Sequence, residues 1–308
     1  MSSAAARIVA FIRLGRPVFL GGGFVLYALG AVVAAVGGAA IDVRRYVLGQ
    51  AVVTAFQLMT HYANDYFDYE ADQANHTPTA WSGGSRVLTS AALPRKVALI
   101  AAIVLAIAGL ALTGLASAAT GAGVGAIGVA IAALAWAYSA PPLRLCGSGL
   151  GELDTAVVVT GLVPLLGFAM QAPLAGAGVL LLAIVPPALM QLAMLIAIEF
   201  PDAAGDAATG KRTWVVRLGA APAAGLYAAI TAAAYAWLPI AVALGLPARV
   251  ALCAALPLPL AAWRIARIRA DHRDPRAFER LTFWAVALLV VTSAAELAGF
   301  ASLWLAAP

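Results

Sequence analysis

Charge is scarce in this chain. Only 11% of its 308 residues are Asp, Glu, Lys or Arg, against about 25% in soluble globular domains. So few charges cannot cover a water-facing surface. No soluble basic domain exists to grip nucleic acid, so the net charge of +5 does not signal that partner. Cysteine is scarcer still, with Cys146 and Cys253 alone. Two thiols are too few for a disulfide framework or a metal knuckle. Cys146 falls in a loop and Cys253 in an apolar run, and both read as incidental.

What the chain has in excess is apolar surface: 63% hydrophobic residues and a mean hydropathy of +0.94. A bilayer-spanning helix needs roughly 20 apolar residues. Candidate spans lie near 17–38, 46–66, 97–116, 119–138, 153–171, 174–198, 220–245, 248–266 and 282–305. The expected fold is all-α, one polytopic bundle of about nine transmembrane helices forming a single domain over 1–308. The first apolar run, from about Val18 to Gly38, is too long for a signal-peptide core, although Arg7, Arg13 and Arg16 precede it. Punctuation near Ala116–Ala122 makes the third and fourth spans a helical hairpin. Abundant Ala and Gly suit close helix packing in lipid. Gly21, Gly22 and Gly23 mark either such a contact or a place where a ligand lies on backbone.

Basic residues orient the bundle. With the N-terminus cytoplasmic, sixteen of the 19 Lys and Arg fall in cytoplasmic segments. Only Arg44, Arg45 and Arg249 are left outside. The expectation is an integral plasma-membrane protein, with the basic run Arg264 to Arg280 anchored on anionic lipid heads.

The acids follow the same geography. His61-Tyr62-Ala63-Asn64-Asp65-Tyr66-Phe67-Asp68-Tyr69-Glu70-Ala71-Asp72 ends the second span. On a continuing helix Asn64, Asp68 and Asp72 share one face, with Asp65 beside them. Stacked carboxylates repel unless a cation joins them, and oxygen ligands favour Mg²⁺ over Zn²⁺. Glu199-Phe200-Pro201-Asp202-Ala203-Ala204-Gly205-Asp206 ends the sixth span. Asp202 and Asp206 repeat the four-residue spacing of Asp68 and Asp72. The pattern suggests a duplicated four-helix half (about 1–140 and 141–281) plus an extra helix at 282–305. The two acidic ends would then face one cavity. Arg86 and Arg144 lie between the clusters in sequence, Lys211 and Arg212 lie just after the second, and all four suit phosphate. Acids, Mg²⁺ and cations above an apolar bundle describe a site for an allylic polyprenyl diphosphate.

Asn64-Asp65-x-x-Asp68-x-x-x-Asp72 resembles the NDxxDxxxD signature of the UbiA superfamily of intramembrane prenyltransferases. Asp202-x-x-x-Asp206 followed by Gly210-Lys211-Arg212-Thr213 resembles its second DxxxD loop and GKxT tail. Tyr138-Ser139-Ala140-Pro141-Pro142-Leu143-Arg144-Leu145, Gly149-Leu150-Gly151-Glu152 and Ser82-Gly83-Gly84-Ser85-Arg86-Val87-Leu88 look like segments of its menaquinone-type branch, the 1,4-dihydroxy-2-naphthoate prenyltransferases. The chain differs from that branch at Glu199, Pro201 and Cys146, where Asn, Arg and Lys are common. The resemblance implies Asn64, Asp68 and Asp72 on one Mg²⁺ and Asp202 and Asp206 on another, bridged by the diphosphate. It implies that Asn64, Arg86, Arg144, Lys211 and Arg212 bind the diphosphate. Catalytic roles fall to Asp65, Asp68, Asp202 and Tyr138, with Asp65 either a ligand or the orienter of a basic residue. An aromatic, quinone-precursor acceptor would complete the reaction. His61 either bonds between helices or lines the pocket. Glu152 and Asp154 either cap a helix or reach the pocket, and Glu296 in the ninth span has no partner legible from sequence. A cation-coupled transporter would also use internal repeats and intramembrane acids, and a terpene cyclase or a transferase to a non-aromatic acceptor would share the superfamily's motifs.

Overall fold

The computed structural model describes residues 4–306. Among these residues every regular element is helical. The chain starts with α1 (Ala4–Leu14), whose Ile8, Val9 and Ile12 are exposed. This is the face an interfacial helix lays on lipid. A left-handed Arg16 (φ 48) turns the chain into Pro17 and then into α2 (Leu20–Val36). Next comes α3 (Val43–Phe67), whose first turn is held by Asp42 Oδ1 accepting from the Arg44 and Arg45 amides at 2.9 and 3.1 Å. That cap satisfies backbone donors left without intrahelical partners.

A short α4 (Tyr69–Ala74) extends α3, and a loop leads to α5 (Arg95–Thr120) and α6 (Ala122–Ser139). These two form the expected hairpin, turning at Gly121. Two short helices, α7 (Leu145–Ser148) and α8 (Gly151–Thr155), precede a widened π turn at Ala156–Leu162 and α9 (Val163–Ala169). The chain continues as α10 (Gly178–Ala183), α11 (Val185–Ala208), α12 (Trp214–Leu218) and α13 (Ala220–Ala243). It closes with α14 (Ala248–Ala255), α15 (Leu258–Asp271) and α16 (Phe278–Leu305). Pro257 and Pro259 lie at the junction of α14 and α15, which bend by 43°.

Seven helical stretches are long and apolar enough to cross a membrane, or eight if α14 and α15 form one bent span. The expected count of nine exceeds this by α3. At 25 residues α3 is long enough, but Arg44, Arg45, Gln50, Gln57, His61, Asn64 and Asp65 dilute its apolar character. It is enclosed by α2, α5 and α6, so its polar side chains need not face lipid.

Gly30 and Gly167 let α2 and α9 touch backbone to backbone. A Cβ at Gly30 would lie 1.8 Å from the Pro164 carbonyl oxygen, and one at Gly167 would lie 2.1 Å from that of Tyr27. Helix α11 packs on α4 and on the π turn, and α16 packs on α2.

Candidate functional site

Helix α3 ends at Phe67, and Asp68 bends the chain into α4. The backbone ladder nevertheless runs on: the Asp68 amide donates to the Asn64 carbonyl at 2.8 Å and the Asp72 amide to that of Asp68 at 2.9 Å. Asn64, Asp68 and Asp72 therefore keep the common face read from their spacing. All three line a polar cavity of about 100 Å³ together with Asp202 and Asp206 of α11. The acidic ends of α3–α4 and of α11 thus open into one space. Tyr138 and Lys211 line it as well.

Lys211 ties the clusters together. Its Nζ lies 3.0 Å from Asp68 Oδ2 and 3.1 Å from Asp206 Oδ1. Burial alone would lower its pKa, but the Asp68 and Asp206 carboxylates outweigh burial and hold it well above the ordinary lysine value. Asn64 Nδ2 donates to Asp68 Oδ2 at 2.8 Å, and Cys146 Sγ lies 3.7 Å from Asp68 Oδ1. Cys146, read as incidental from sequence, is thus buried in the cavity wall. Burial and the Asp68 carboxylate push its thiol pKa upward, which keeps it protonated.

Asp202 is positioned by the loop after α4. Asn75 Nδ2 donates to its Oδ1 at 2.7 Å and the Gly83 amide to its Oδ2 at 3.1 Å. The loop is pinned further by Thr77 Oγ1, which donates to the Pro201 carbonyl at 2.7 Å. Gly84 (φ +72) must be glycine: a Cβ there would sit 2.0 Å from Asp72 Oδ2. The Asp72 carboxylate itself makes no hydrogen bond or ion pair among the described residues. Burial, together with Asp65 and Asp68, raises its pKa to about 8.

Several expected site residues stand elsewhere. Asp65 turns away from the cavity and accepts from the Ser85 hydroxyl and from the Ser85 amide at 3.1 and 3.2 Å. It also pairs with Arg16 Nε at 3.7 Å. Arg86, Arg144 and Arg212 are absent from the cavity lining. Arg86, left-handed at φ 62, gives its guanidinium to the Asp72 carbonyl. Arg144 and Arg212 are exposed. Glu70 also leaves the cluster: its hydrogen bonds to Arg95, at 2.6 and 3.1 Å, lower its pKa. Glu152 and Glu199 reach the cavity while accepting from the Trp214 amide at 2.7 Å and the Val215 amide at 3.2 Å. Glu296 is fully buried with both oxygens unpartnered among the described residues. Arg16, Asn75 and Trp81 are lining residues that sequence reasoning missed.

The polar cavity continues into an apolar chamber of about 250 Å³. Arg16, Asn64, Trp81, Tyr138, Leu195 and Ile198 line both. The chamber walls include Leu26, Phe56, Val158, Met194 and Leu289, with Gly22 and Gly23 presenting backbone. His61 Nδ1 lies 2.8 Å from the carbonyl of Gly15, in the turn after α1, and the ring lines the chamber. Among the described residues no three His, Cys, Asp or Glu side chains converge as a ready-made metal cage. The expected ligands in the polar cavity are nonetheless hard oxygens, Asn64 Oδ1 and the carboxylates of Asp68, Asp72, Asp202 and Asp206, a set that suits Mg²⁺ joined by substrate oxygens.

The profile of the UbiA prenyltransferase family matches residues 24–306. No curated protein sequence matches the chain significantly. Solved structures share the fold. A UbiA homologue from Archaeoglobus fulgidus bound to GPP and Mg²⁺ is 15% identical, with a TM-score of 0.63, covering 94% of this chain and 99% of its own. A UbiA homologue from Aeropyrum pernix K1 is 18% identical, with a TM-score of 0.66 over 88% of this chain and 96% of its own. A structure of digeranylgeranylglyceryl phosphate synthase is 17% identical, with a TM-score of 0.62 over 96% and 99%.

Proposed function

Because the chain belongs to the UbiA prenyltransferase family, we propose that this integral-membrane prenyltransferase moves a polyprenyl group from its diphosphate to an aromatic, quinone-precursor acceptor. The observation that carries the reading is the junction of the two cavities. An acid-lined polar space opens directly into an apolar chamber, which fits a molecule with a charged head and a hydrocarbon tail. The A. fulgidus homologue bound to GPP and Mg²⁺ supports the same assignment of ends. The menaquinone-type branch is favoured by the Tyr138–Leu145 and Gly149–Glu152 segments.

Asn64, Asp68 and Asp72 would hold one Mg²⁺ and Asp202 and Asp206 a second, and the ions would offset the charge of a departing diphosphate. Lys211 and Arg16 add positive charge at the two sides of that space. Tyr138 lies at the junction, where its ring can steady an allylic cation. The apolar wall keeps water from quenching that cation. Asn75 and the Gly83 amide hold Asp202 in place, and Asp65 holds Arg16. The cytoplasmic orientation and the duplicated halves belong to the same reading.

Purified protein in nanodiscs, given Mg²⁺ and a labelled polyprenyl diphosphate, tests it with an acceptor panel read by mass spectrometry. The expected result is ring prenylation with matched diphosphate release. Cyclised hydrocarbon formed without an acceptor would replace the reading with a terpene cyclase. Cation transport without diphosphate release would replace it with a transporter.

Asp72 predicts a pH dependence. Its raised pKa means that the folded protein retains a proton near neutrality, and a divalent cation must displace it. Apparent Mg²⁺ affinity should therefore rise with pH, by up to about tenfold per unit, and level off above about pH 8. Calorimetric titration across that range measures this, and an affinity flat below pH 8 would remove Asp72 from the binding set.

A further inference from the structure

The apolar chamber holds three polar side chains that the proposed mechanism leaves unused. Other polar residues in its wall are committed to the protein. His61 bonds to the Gly15 carbonyl, Gln57 to that of Phe19, Thr60 to that of Phe56 and Thr155 to that of Glu152. Asp154, Gln191 and Ser293 also line the chamber, yet their side chains make no hydrogen bond or ion pair among the described residues. Asp154 is 8% exposed and Ser293 is 2% exposed. Asp154 Oδ1 and Ser293 Oγ are both buried and unpartnered. Burying such atoms forfeits hydration without return, so their place is in a wall that meets a polar ligand.

Asp154 stands apart from the other two in kind. It is the one carboxylate in the chamber lining. It follows Gly151 by three residues on α8, and a Cβ at Gly151 would lie 3.2 Å from Tyr138 Cε2. Glu152, one residue after Gly151, already belongs to the polar cavity. Asp154 therefore lies within one helical turn of the residue that abuts Tyr138, and a prenyl chain anchored by its diphosphate presents its reacting carbon at that junction. A hydrocarbon tail has no use for a carboxylate there. A ring that must approach that carbon does, if it bears a hydroxyl.

We propose that Asp154 forms the acceptor subsite by accepting a hydrogen bond from a ring hydroxyl, and so selects acceptors in which that hydroxyl is free. This rests on the prenyl-transfer reading above. The test compares a dihydroxynaphthalene-type acceptor with its O-methyl ether, in the wild-type protein, Asp154→Ala and Asp154→Asn. The wild type should favour the free hydroxyl by about 100-fold in kcat/KM. Asp154→Ala should cut that preference to within about threefold, through acceptor KM, with prenyl diphosphate affinity unchanged. Asp154→Asn keeps a carbonyl acceptor and should restore part of the preference. Asp154→Leu, matched to the apolar wall, takes the place of Asp154→Ala if that variant does not fold. Undiminished discrimination in the apolar variant, or none in the wild type, overturns the assignment. Failure of the wild type to prenylate any ring would overturn the functional reading, and this subsite with it.

Discussion

Asp68→Ala is expected to lower prenyl transfer by about 10³-fold while the bundle stays folded. Asp68 is where the site's contacts converge: Asn64, Lys211 and Cys146 all reach its oxygens. Its loss removes a hard oxygen donor and frees Lys211 from one of its two partners. Asp202→Ala should act similarly from the opposite wall, because Asn75 and Gly83 orient that carboxylate. Little apolar packing is lost in either case, so the cost falls on chemistry more than on stability. Diphosphate release and thermal melting, measured on the same preparations, separate the two. Mg²⁺-dependent turnover retained in either variant would dismiss the assigned roles.

The largest effect on stability is expected from Gly30→Ala. The added methyl would meet the Pro164 carbonyl carbon at 2.7 Å as well as its oxygen. Both atoms are backbone, so no rotamer change relieves the clash. Overpacking of this kind costs about 3 kcal/mol or more. The midpoint of detergent thermal melts should fall by several degrees, with chamber geometry disturbed because Leu26 and Val163 flank the contact. Gly21→Ala is the control, since a Cβ there meets nothing within 4 Å. Equal melting of both variants would show that α2 and α9 tolerate separation.

The parts of this molecule legible from sequence are those that repeat or run long. Apolar runs located the helices, because the bilayer imposes length and composition on each. The face shared by Asn64, Asp68 and Asp72 followed from helical spacing and survived the bend at Asp68. Side-chain destinations were less legible. Arg86, Arg144 and Lys211 look equally suited to phosphate in sequence, but only Lys211 reaches the cavity. Arg86 and Arg144 are both left-handed, and no local pattern announces a non-glycine residue in that conformation. Arg16 counts in sequence only as one of the basic residues before the first span. Its pairing with Asp65 requires the turn at Pro17, a tertiary event. Asn75 and Asp154 carry no motif at all. Cys146 illustrates the reverse error, since a residue in a short loop became part of a wall once α7 folded under Asp68.

The position of Lys211 sets what a substitution there would expose. One ammonium supplied by the chain itself meets a carboxylate from the end of α3 and another from α11. Remove it, as in Lys211→Met, and two like charges are left face to face with no counter-charge between them.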